Sequence, residues 1–484
     1  MGNSPHAASI HTLDDDSLLN IFHLYRPPFF DGDETDGVRL VGGRSWDREW
    51  WWYKLAQVCR RWRNLILGSP SGLDLCLVCT HGTPVADMLA HSPPLPLVID
   101  FFNVFWGISA KDEEGIILAL KQRDRVRRVR LAMSGLCMLN LIMAFDEEYP
   151  VLEYLIIKAT LWTFSSTTVI LPETFQAPRL HHLLLSGFAL PMGSRLFTTA
   201  MGLVTLALDV GRPSFAYFQP NTLLQWLSFM PQLEKLLIVF LAPVPDQDVE
   251  GQVMHTPIIS HVILPNLRWI EFHGVTDDME AVVCRITTPR LEELRIQFFE
   301  PLMFCVPCLL HFMETTENLR FDSVKVEFFA SLVYVRAYLR EEAEVYPLSL
   351  TVSCGPLDFR VFVVAQTLDF LGQIFSTVEH LTLEHKESSE EDNEVEWREL
   401  LRSFPNVKTL WVDDGLVEEF SRSLLLDDGE LPLELLPELQ KLTYSGTGDT
   451  ADAFTPFVDA RQNAGRSVTL NGLSCGVFRD YPTR

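Results

Sequence analysis

The sequence lacks long hydrophobic runs, and its first residues are polar. No uninterrupted apolar run in the 484 residues approaches the ~18 residues of a membrane-spanning helix. The stretch MGNSPHAASIHTLDDDS has no signal-peptide core, and no Asn begins an Asn-x-Ser/Thr acceptor. The nine cysteines are scattered and odd in number, which does not suit a disulfide framework. We therefore expect a soluble protein of the cytoplasm or nucleus that has no contact with a membrane.

Basic residues are scarce in this chain. Its 39 Lys and Arg stand against 64 Asp and Glu, which gives a formal net charge of −25. Such a surface repels a nucleic-acid backbone, so no nucleic-acid partner is expected. The acidity either keeps the protein soluble or offers an acidic face to a basic protein partner. One basic stretch, KQRDRVRRVR (121–130), is compatible with a phosphate-binding patch, although a solvated edge of the first repeat explains it more simply.

Motifs for catalysis are also missing. The chain has no H-E-x-x-H, no G-x-S-x-G and no G-x-x-x-x-G-K-[ST]. Two C-x-x-C pairs, Cys76 with Cys79 and Cys305 with Cys308, are too far apart in sequence for the usual zinc pattern. We interpret them as small buried apolar residues. The prediction is a non-enzymatic chain without catalytic residues, cofactor or metal; an enzyme that uses one cysteine pair is the alternative.

A short motif recurs along most of the chain after residue 78. It consists of a Pro, any residue, an apolar residue, two mixed residues and then alternating apolar positions. The clear copies are PVLEYLII (150–157), PRLHHLLL (178–185), PQLEKLLI (231–238), PNLRWIEF (265–272), PRLEELRI (289–296), PNVKTLWV (405–412) and PELQKLTY (437–444). Weaker copies span 124–131, 202–208 and 377–383, with degenerate units expected near Asn318-Leu319 and in PLSLTVS (347–353). The spacing of roughly 23–34 residues is typical of leucine-rich repeats.

Such a motif predicts one short strand per repeat. The alternating residues give the strand a buried face, and the residues between strands supply a helix that covers the other side. The expected fold class is therefore α/β, with an irregular leucine-rich-repeat solenoid over residues 71–484, parallel strands on one face and helices on the other. Loop insertions are expected near 386–396 and 427–432.

The Asn or Cys that usually bonds the turn after each repeat strand is absent, so apolar packing is expected to fill these turns. The positions in question hold Thr160, Phe188, Leu241, Val275, Phe299, Gly415 and Thr447.

The first 70 residues follow a different pattern. Thr12-Leu13-Asp14-Asp15 is typical of a capping box and predicts the start of a helix. The apolar stripe of this helix is Leu18, Ile21, Phe22 and Tyr25. After an acidic, glycine-rich inserted loop (27–49), a second helix is expected from about Trp50 to Gly68. Its apolar face is Leu55, Val58, Cys59, Trp62, Leu65 and Ile66.

The two helices together resemble the F-box, in the divergent form common in fungal proteins. The stretch Val58-Cys59-Arg60-Arg61-Trp62 matches the V-C-[RK]-x-W element of that family residue for residue. Leu13 and the pair Ile21-Phe22 match its first helix, whereas Asp14 stands where the family has a proline. The long insert also departs from the compact form of the domain. The resemblance covers residues 9–70.

The resemblance implies that the helical pair docks on a Skp-type adaptor and, through it, on a cullin scaffold that carries a ubiquitin-charged enzyme. The repeats would then select an unknown protein substrate, and the chain would be a non-catalytic substrate-recognition subunit of a ubiquitin ligase. The expected adaptor-binding residues are Leu13, Leu18, Ile21, Phe22, Leu55, Val58, Cys59, Trp62, Leu65 and Ile66.

The residues themselves agree with a docking role. The two apolar stripes exceed what two helices need to cover each other, and Trp62 is suited to anchor an interface. Arg60, Arg61 and Arg63 lie mostly off the apolar face and would orient a partner at the rim. The alternative is a leucine-rich-repeat interaction scaffold whose N-terminal helices only cap the solenoid, with no role in ubiquitin transfer.

Overall fold

The computed structural model describes most of the chain, in several ranges. These are residues 13–25, 51–102, 108–160, 169–209, 218–240, 261–298, 306–329, 331–340, 345–353, 360–385, 394–425, 434–446 and 452–474. Two of the expected insertions, 27–49 and 427–432, lie outside the described residues. So do residues 386–393 of the insertion expected near 386–396, together with Thr12 and Cys305. Two compact units, Met1–Ala216 and Tyr217–Arg484, are described separately below.

Three short helices begin the first unit: α1 (Asp15–Tyr25), α2 (Trp51–Ala56) and α3 (Arg60–Gly68). The carboxylate of Asp14 accepts a hydrogen bond from the backbone N–H of Ser17 at 2.6 Å. Asp14 therefore occupies the N-cap position of α1, whereas the sequence pattern started the capping box at Thr12. This bond also lowers the pKa of the Asp14 carboxyl.

The prediction of one continuous second helix is wrong, because the chain breaks between α2 and α3. Cys59 has an extended backbone (φ −158°, ψ 169°), and its Sγ accepts a hydrogen bond from the Trp62 N–H at 3.4 Å. Its side chain thus caps α3 as a Ser would. Val58 donates its N–H to the Leu55 carbonyl at 3.1 Å and lies in the break. The spacing of the apolar residues is helical on both sides, so it did not reveal the interruption.

The first unit continues with strands that alternate with helices. The strands are β1 (Leu77–Cys79), β2 (Leu97–Phe101), β3 (Val126–Ser134), β4 (Tyr154–Thr160), β5 (Val169–Ile170), β6 (His182–Ser186), β7 (Phe188–Ala189) and β8 (Thr205–Asp209). The helices are α4 (Val85–His91), α5 (Ala110–Leu120), α6 (Gly135–Ile142) and α7 (Arg195–Thr199). The sheet order is β1-β2-β3-β4-β6-β8, and each adjacent pair is parallel. Strands β5 and β7 form a separate parallel pair.

The second unit repeats the alternation. Its strands are β9 (Lys235–Val239), β10 (Val262–Ile263), β11 (Trp269–Gly274), β12 (Ile286–Thr287), β13 (Glu293–Phe298), β14 (Ser323–Phe328), β15 (Leu332–Tyr338), β16 (Leu348–Ser353), β17 (His380–His385), β18 (Thr409–Val412), β19 (Lys441–Gly446) and β20 (Thr469–Ser474). Its helices are α8 (Pro220–Leu227), α9 (Thr276–Val283), α10 (Pro307–Thr315), α11 (Arg360–Phe370), α12 (Gly372–Phe375), α13 (Glu394–Arg402), α14 (Val417–Ser423) and α15 (Thr455–Asn463).

All seven clear copies of the motif become strands, and the same motif position faces itself across the sheet. Leu155 of β4 is in register with Leu183 of β6, and Leu410 of β18 with Leu442 of β19. The Pro of each copy occupies the second position of a turn that leads into the strand, closed for example by the Leu180 N–H and the Ala177 carbonyl at 3.1 Å. Register and turns together show a leucine-rich-repeat-type α/β fold with a mostly parallel sheet.

The expectation of parallel strands throughout fails between residues 289 and 376. Here the order along the sheet is β13-β16-β15-β14-β17, and β15 runs antiparallel to both β14 and β16. Only residues 329–331 separate β14 from β15. A connection that short can join antiparallel neighbours, whereas a parallel crossover needs about a dozen residues. The blurred motif in this part of the chain therefore marks an inserted antiparallel strand.

The turns after the strands are bonded in more than one way. Phe188 is buried, as expected for a turn filled by apolar packing. After β18, in contrast, the Asp413 carboxylate accepts hydrogen bonds from the His385 N–H at 3.3 Å and from the Ser445 hydroxyl at 3.1 Å. An aspartate thus links neighbouring turns here, in the manner expected of the missing asparagine. No helix among the described residues is long and apolar enough to cross a membrane.

Candidate functional site

The N-terminal helices pack through an aromatic contact. The rings of Phe22 in α1 and Trp62 in α3 meet edge to face, with their centroids 4.8 Å apart. Leu18 and Phe22 are almost fully buried, and so is Ile66 of α3. The V-C-R-R-W element and the first apolar stripe are therefore brought together. Leu18, Phe22 and Ile66 therefore lie in the interior of the N-terminal helices.

Two of the three arginines in this region hold the helices in place. Arg61 donates to the Leu13 carbonyl at 2.6 Å and forms an ion pair with Asp15 at 2.7 Å, which fixes the start of α1 on α3. Arg63 donates to the Ala56 carbonyl at 3.0 Å, at the C-terminal end of α2. Arg60 is exposed. It lines an open cleft of about 480 Å³ with Asp15, Arg61, Asn64 and Leu65.

Exposed apolar side chains remain on α1 and in the break before α3. We define the N-terminal apolar surface as Ile21, Leu24 and Val58, whose exposed fractions are 41%, 83% and 59%. Ile21 and Leu24 are three residues apart on α1 and therefore lie on the same side of that helix. The remaining predicted site residues, Leu13, Leu55, Cys59, Trp62 and Leu65, are half-buried.

Leu24 was not among the predicted site residues. It is the most exposed large apolar residue of α1, and its spacing of i+3 from Ile21 was the available signal.

Helix α2 contacts the chain immediately before β1. The indole N–H of Trp52 donates to the Cys76 carbonyl at 3.2 Å, and both Trp51 and Trp52 are buried. Tyr25 at the end of α1 reaches the same place, since its ring lies 6.5 Å from that of Trp51. These contacts place the end of α1 and helix α2 beside the start of β1.

Among the described members of the two cysteine pairs, Cys79 and Cys308 have raised thiol pKa values. Cys79 is buried in β1, and burial raises the pKa of its thiol to about 12. Burial, followed by the nearby Glu280, raises the pKa of Cys308 to about 11. Both thiols are therefore weak nucleophiles at neutral pH. Among the described residues, no group of three or more His, Cys, Asp or Glu is arranged to hold a metal ion.

The basic stretch 121–130 is largely engaged by acidic neighbours. Arg123 pairs with Asp146 and Glu147, and Arg127 pairs with Asp74 and, at 2.7 Å, with Glu153. The Arg125 side chain donates to the Leu95 carbonyl at 3.0 Å. These pairs join the first repeats to one another.

Two solved structures are distantly similar to this chain. No protein-family model matches the sequence, and no curated protein matches it. The crystal structure of a TLR13–ssRNA13 complex aligns with 82% of this chain and 49% of that chain, at 15% identity and a TM-score of 0.33. The leucine-rich-repeat-containing protein LegL7 from Legionella pneumophila aligns with 83% of this chain and 91% of that chain, at 10% identity and a TM-score of 0.27.

This chain thus spans about half the length of the TLR13 chain. Likenesses this weak carry no argument about function, and the assignment of the repeat fold rests on the strand register and the turns described above. A stack of repeats of this kind is typical of a protein-interaction scaffold.

Proposed function

We propose that this chain is a non-catalytic substrate-recognition subunit of a Skp–cullin–F-box ubiquitin ligase. The N-terminal helices bind a Skp-type adaptor, and the repeats hold a target protein so that its lysines meet the ubiquitin-charged enzyme. The supporting observation is the N-terminal apolar surface: α1 and α3 already cover each other through Phe22 and Trp62, yet Ile21, Leu24 and Val58 stay exposed.

The apolar residues of the N-terminal helices fall into a buried group and an exposed group. Leu18, Phe22 and Ile66 are buried and shape the helical pair, whereas the exposed residues are available to a partner. Apolar side chains in contact with water cost free energy, and burying them against an adaptor recovers it. Because Arg61 and Arg63 are bonded within the chain, Arg60 is the arginine of this region that is best placed for a rim contact.

The capping interpretation is the second candidate, and the hydrogen bond from Trp52 to Cys76 favours it. A cap needs a polar outer face, because its outer side meets water. Ile21, Leu24 and Val58 are exposed but apolar, so they do not meet this requirement. The two interpretations therefore differ in the role of Ile21, Leu24 and Val58: they contact the adaptor in the first and have no partner in the second.

Co-purification of the full chain with a Skp-type adaptor from the same cell tests the proposal. The variants are Ile21→Asp and Val58→Asp, with Asn20→Asp as the matched control, since it adds the same charge to an exposed polar position of α1. We expect wild type and Asn20→Asp to capture the adaptor, and the other two to lose at least about tenfold of that capture, because a charge in an apolar contact is costly.

Two results would contradict the proposal. One is a wild-type chain that captures no adaptor although it is folded, as judged by circular dichroism. The other is equal capture by all four proteins, which would mean that the helices only cap the repeats.

A further inference from the structure

Two free thiols lie at the junction of two consecutive helices in the second unit. Cys284 directly follows α9 and is exposed, and Cys308 is the second residue of α10 and is half-buried. The sequence pattern pairs Cys308 with Cys305 and not with Cys284, because only the packing of α9 against α10 brings Cys284 and Cys308 together. The structure therefore shows a thiol pair that the sequence does not predict.

The backbone places both thiols around the side chain of Glu280. Cys284 lies one helical turn after Glu280, and its N–H donates to the Glu280 carbonyl at 3.1 Å. Side chains at this spacing lie on the same face of a helix. The Glu280 carboxylate in turn accepts from the Cys308 N–H at 2.9 Å. The face of α9 that carries Cys284 therefore contacts the first turn of α10, which carries Cys308.

The side chains of Glu280, Cys284 and Cys308 interact in this junction. Burial, then the hydrogen bond and the charge of Glu280, and then the interaction with the Cys284 thiol raise the pKa of Cys308 to about 11. The Cys284 thiol also donates to the Ala281 carbonyl at 3.5 Å, which keeps it beside the end of α9. Cys308 is thus a protonated thiol in contact with a second thiol and with a carboxylate that can accept its proton.

Neighbouring thiols of unequal exposure undergo oxidation in a defined order. A peroxide converts the more accessible thiol to a sulfenic acid, which then condenses with the neighbouring thiol to a disulfide. Cys284 is the exposed member of this pair and is reached first, and Cys308 is its neighbour. Where the surroundings are reducing, disulfides of this kind are transient and act in redox sensing.

We propose that Cys284 and Cys308 are a redox-modification site that forms a reversible disulfide when the protein meets a peroxide. The bond joins α9 to α10 covalently, at the junction that Glu280 already bridges by its hydrogen bonds to the Cys308 and Leu309 N–H groups. The inference goes beyond the proposed function and does not depend on it, because no residue of the N-terminal helices takes part.

The reaction balances with peroxide as the only co-reactant. Hydrogen peroxide oxidises the Cys284 thiol to a sulfenic acid and releases one water. The Cys308 sulfur then attacks the Cys284 sulfur, and its proton passes through the Glu280 carboxylate to the hydroxide that leaves as a second water. Two thiols and one peroxide thus give one disulfide and two waters. A dithiol reductant reverses the modification by thiol–disulfide exchange.

Mass spectrometry of the full-length chain, digested without reductant after exposure to hydrogen peroxide, tests the inference. The variants are Cys284→Ser and Cys308→Ser. Two matched controls each remove another thiol: Cys305→Ser removes the second cysteine of the C-x-x-C pair, and Cys137→Ser removes a half-buried cysteine of α6. Glu280→Gln tests the role of the carboxylate as the proton acceptor.

We expect wild type and both controls to yield a peptide that links residues 284 and 308, and dithiothreitol to abolish it. Neither Cys284→Ser nor Cys308→Ser should yield it. In Cys308→Ser the Cys284 sulfenic acid should accumulate at least about fivefold above wild type, as measured by dimedone trapping, because its partner thiol is missing. Glu280→Gln should slow disulfide formation at least about tenfold, because an amide cannot accept the proton, without changing the rate at which Cys284 is first oxidised.

Three results would overturn the inference: no linked peptide in the oxidised wild type, a bond from Cys308 to Cys305 in place of Cys284, or an equal yield of the linked peptide from the urea-unfolded chain. The last result would mean that the fold does not bring the two thiols together. Ile21→Asp should retain the disulfide, so a failed adaptor experiment and a failed oxidation experiment remain distinguishable.

Discussion

Single residues decide the conformation at several turns, and Gly187 is the clearest case. It lies between β6 and β7 with φ +78°, and it donates its N–H to the Asp209 carbonyl at 2.8 Å. A Cβ at this position would come within 2.6 Å of the Ala159 carbonyl oxygen. Substitution would therefore combine left-handed backbone strain with a steric clash against the neighbouring strand.

We predict that Gly187→Ala destabilises the protein by clearly more than the roughly 1–2 kcal/mol of left-handed strain alone. Gly82→Ala is the matched control, since Gly82 has φ +76° but open space around its added Cβ. Urea unfolding followed by circular dichroism measures both. Equal losses in the two variants would show that the neighbouring strand moves away and that the clash has no effect.

At the scale of elements, one helix is capped by a residue from the preceding helix. Glu280 of α9 accepts hydrogen bonds from the N–H groups of Cys308 at 2.9 Å and Leu309 at 2.8 Å, the second and third residues of α10. The first N–H groups of a helix have no partner within it, and a carboxylate there also meets the positive end of the helix dipole. This single side chain thus joins two consecutive repeats.

Removing this cap should loosen α10. We predict that Glu280→Ala costs about 1–2 kcal/mol of stability and increases amide hydrogen exchange in the first turn of α10, with Glu280→Gln intermediate. Glu314→Ala, which removes the same charge from an exposed position near the other end of α10, should change stability by less than about 0.5 kcal/mol. Unchanged exchange at Cys308 and Leu309 in Glu280→Ala would disprove the role of the cap.

The repeat strands could be predicted from sequence because their signal is local. PRLHHLLL and the other copies of the motif combine a Pro turn with alternating apolar residues. Both the turn and the alternation are observed at β6 and at the other repeat strands. The place of β15 could not be predicted, since alternation indicates a strand but not its neighbours in the sheet. The break before α3 was hidden for a related reason: Cys59 continues the helical spacing, and only its extended backbone makes it a cap.

The candidate docking residues were only partly predictable for a different reason. Spacing places Leu18, Ile21 and Phe22 on one stripe, but burial depends on which side of the stripe packs on α3. The structure buries Leu18 and Phe22 and leaves Ile21 exposed, together with Leu24. This distinction is set by tertiary contacts such as the Phe22–Trp62 pair, which no periodicity contains.

At the scale of the whole second unit, aromatic side chains connect one repeat to the next. Phe420 is fully buried and lies 5.4 Å from the ring of Trp397 and 6.3 Å from that of Phe454. Near the other end of the unit's sheet, Phe272 packs against Phe240 at 6.1 Å. Each repeat therefore takes its stability largely from its neighbours, as expected of a linear stack.

This organisation predicts that damage stays local within the unit. Phe420→Ala should cost about 3–5 kcal/mol, because it leaves a cavity in a packed core. We expect it to reduce hydrogen-exchange protection in β18 and β19 while β11 and β13 keep theirs. Phe272→Ala, the matched variant, should give the reverse pattern. A uniform loss of protection from β9 to β20 in both variants would contradict this prediction, because it would mean that the second unit unfolds as one cooperative block rather than repeat by repeat.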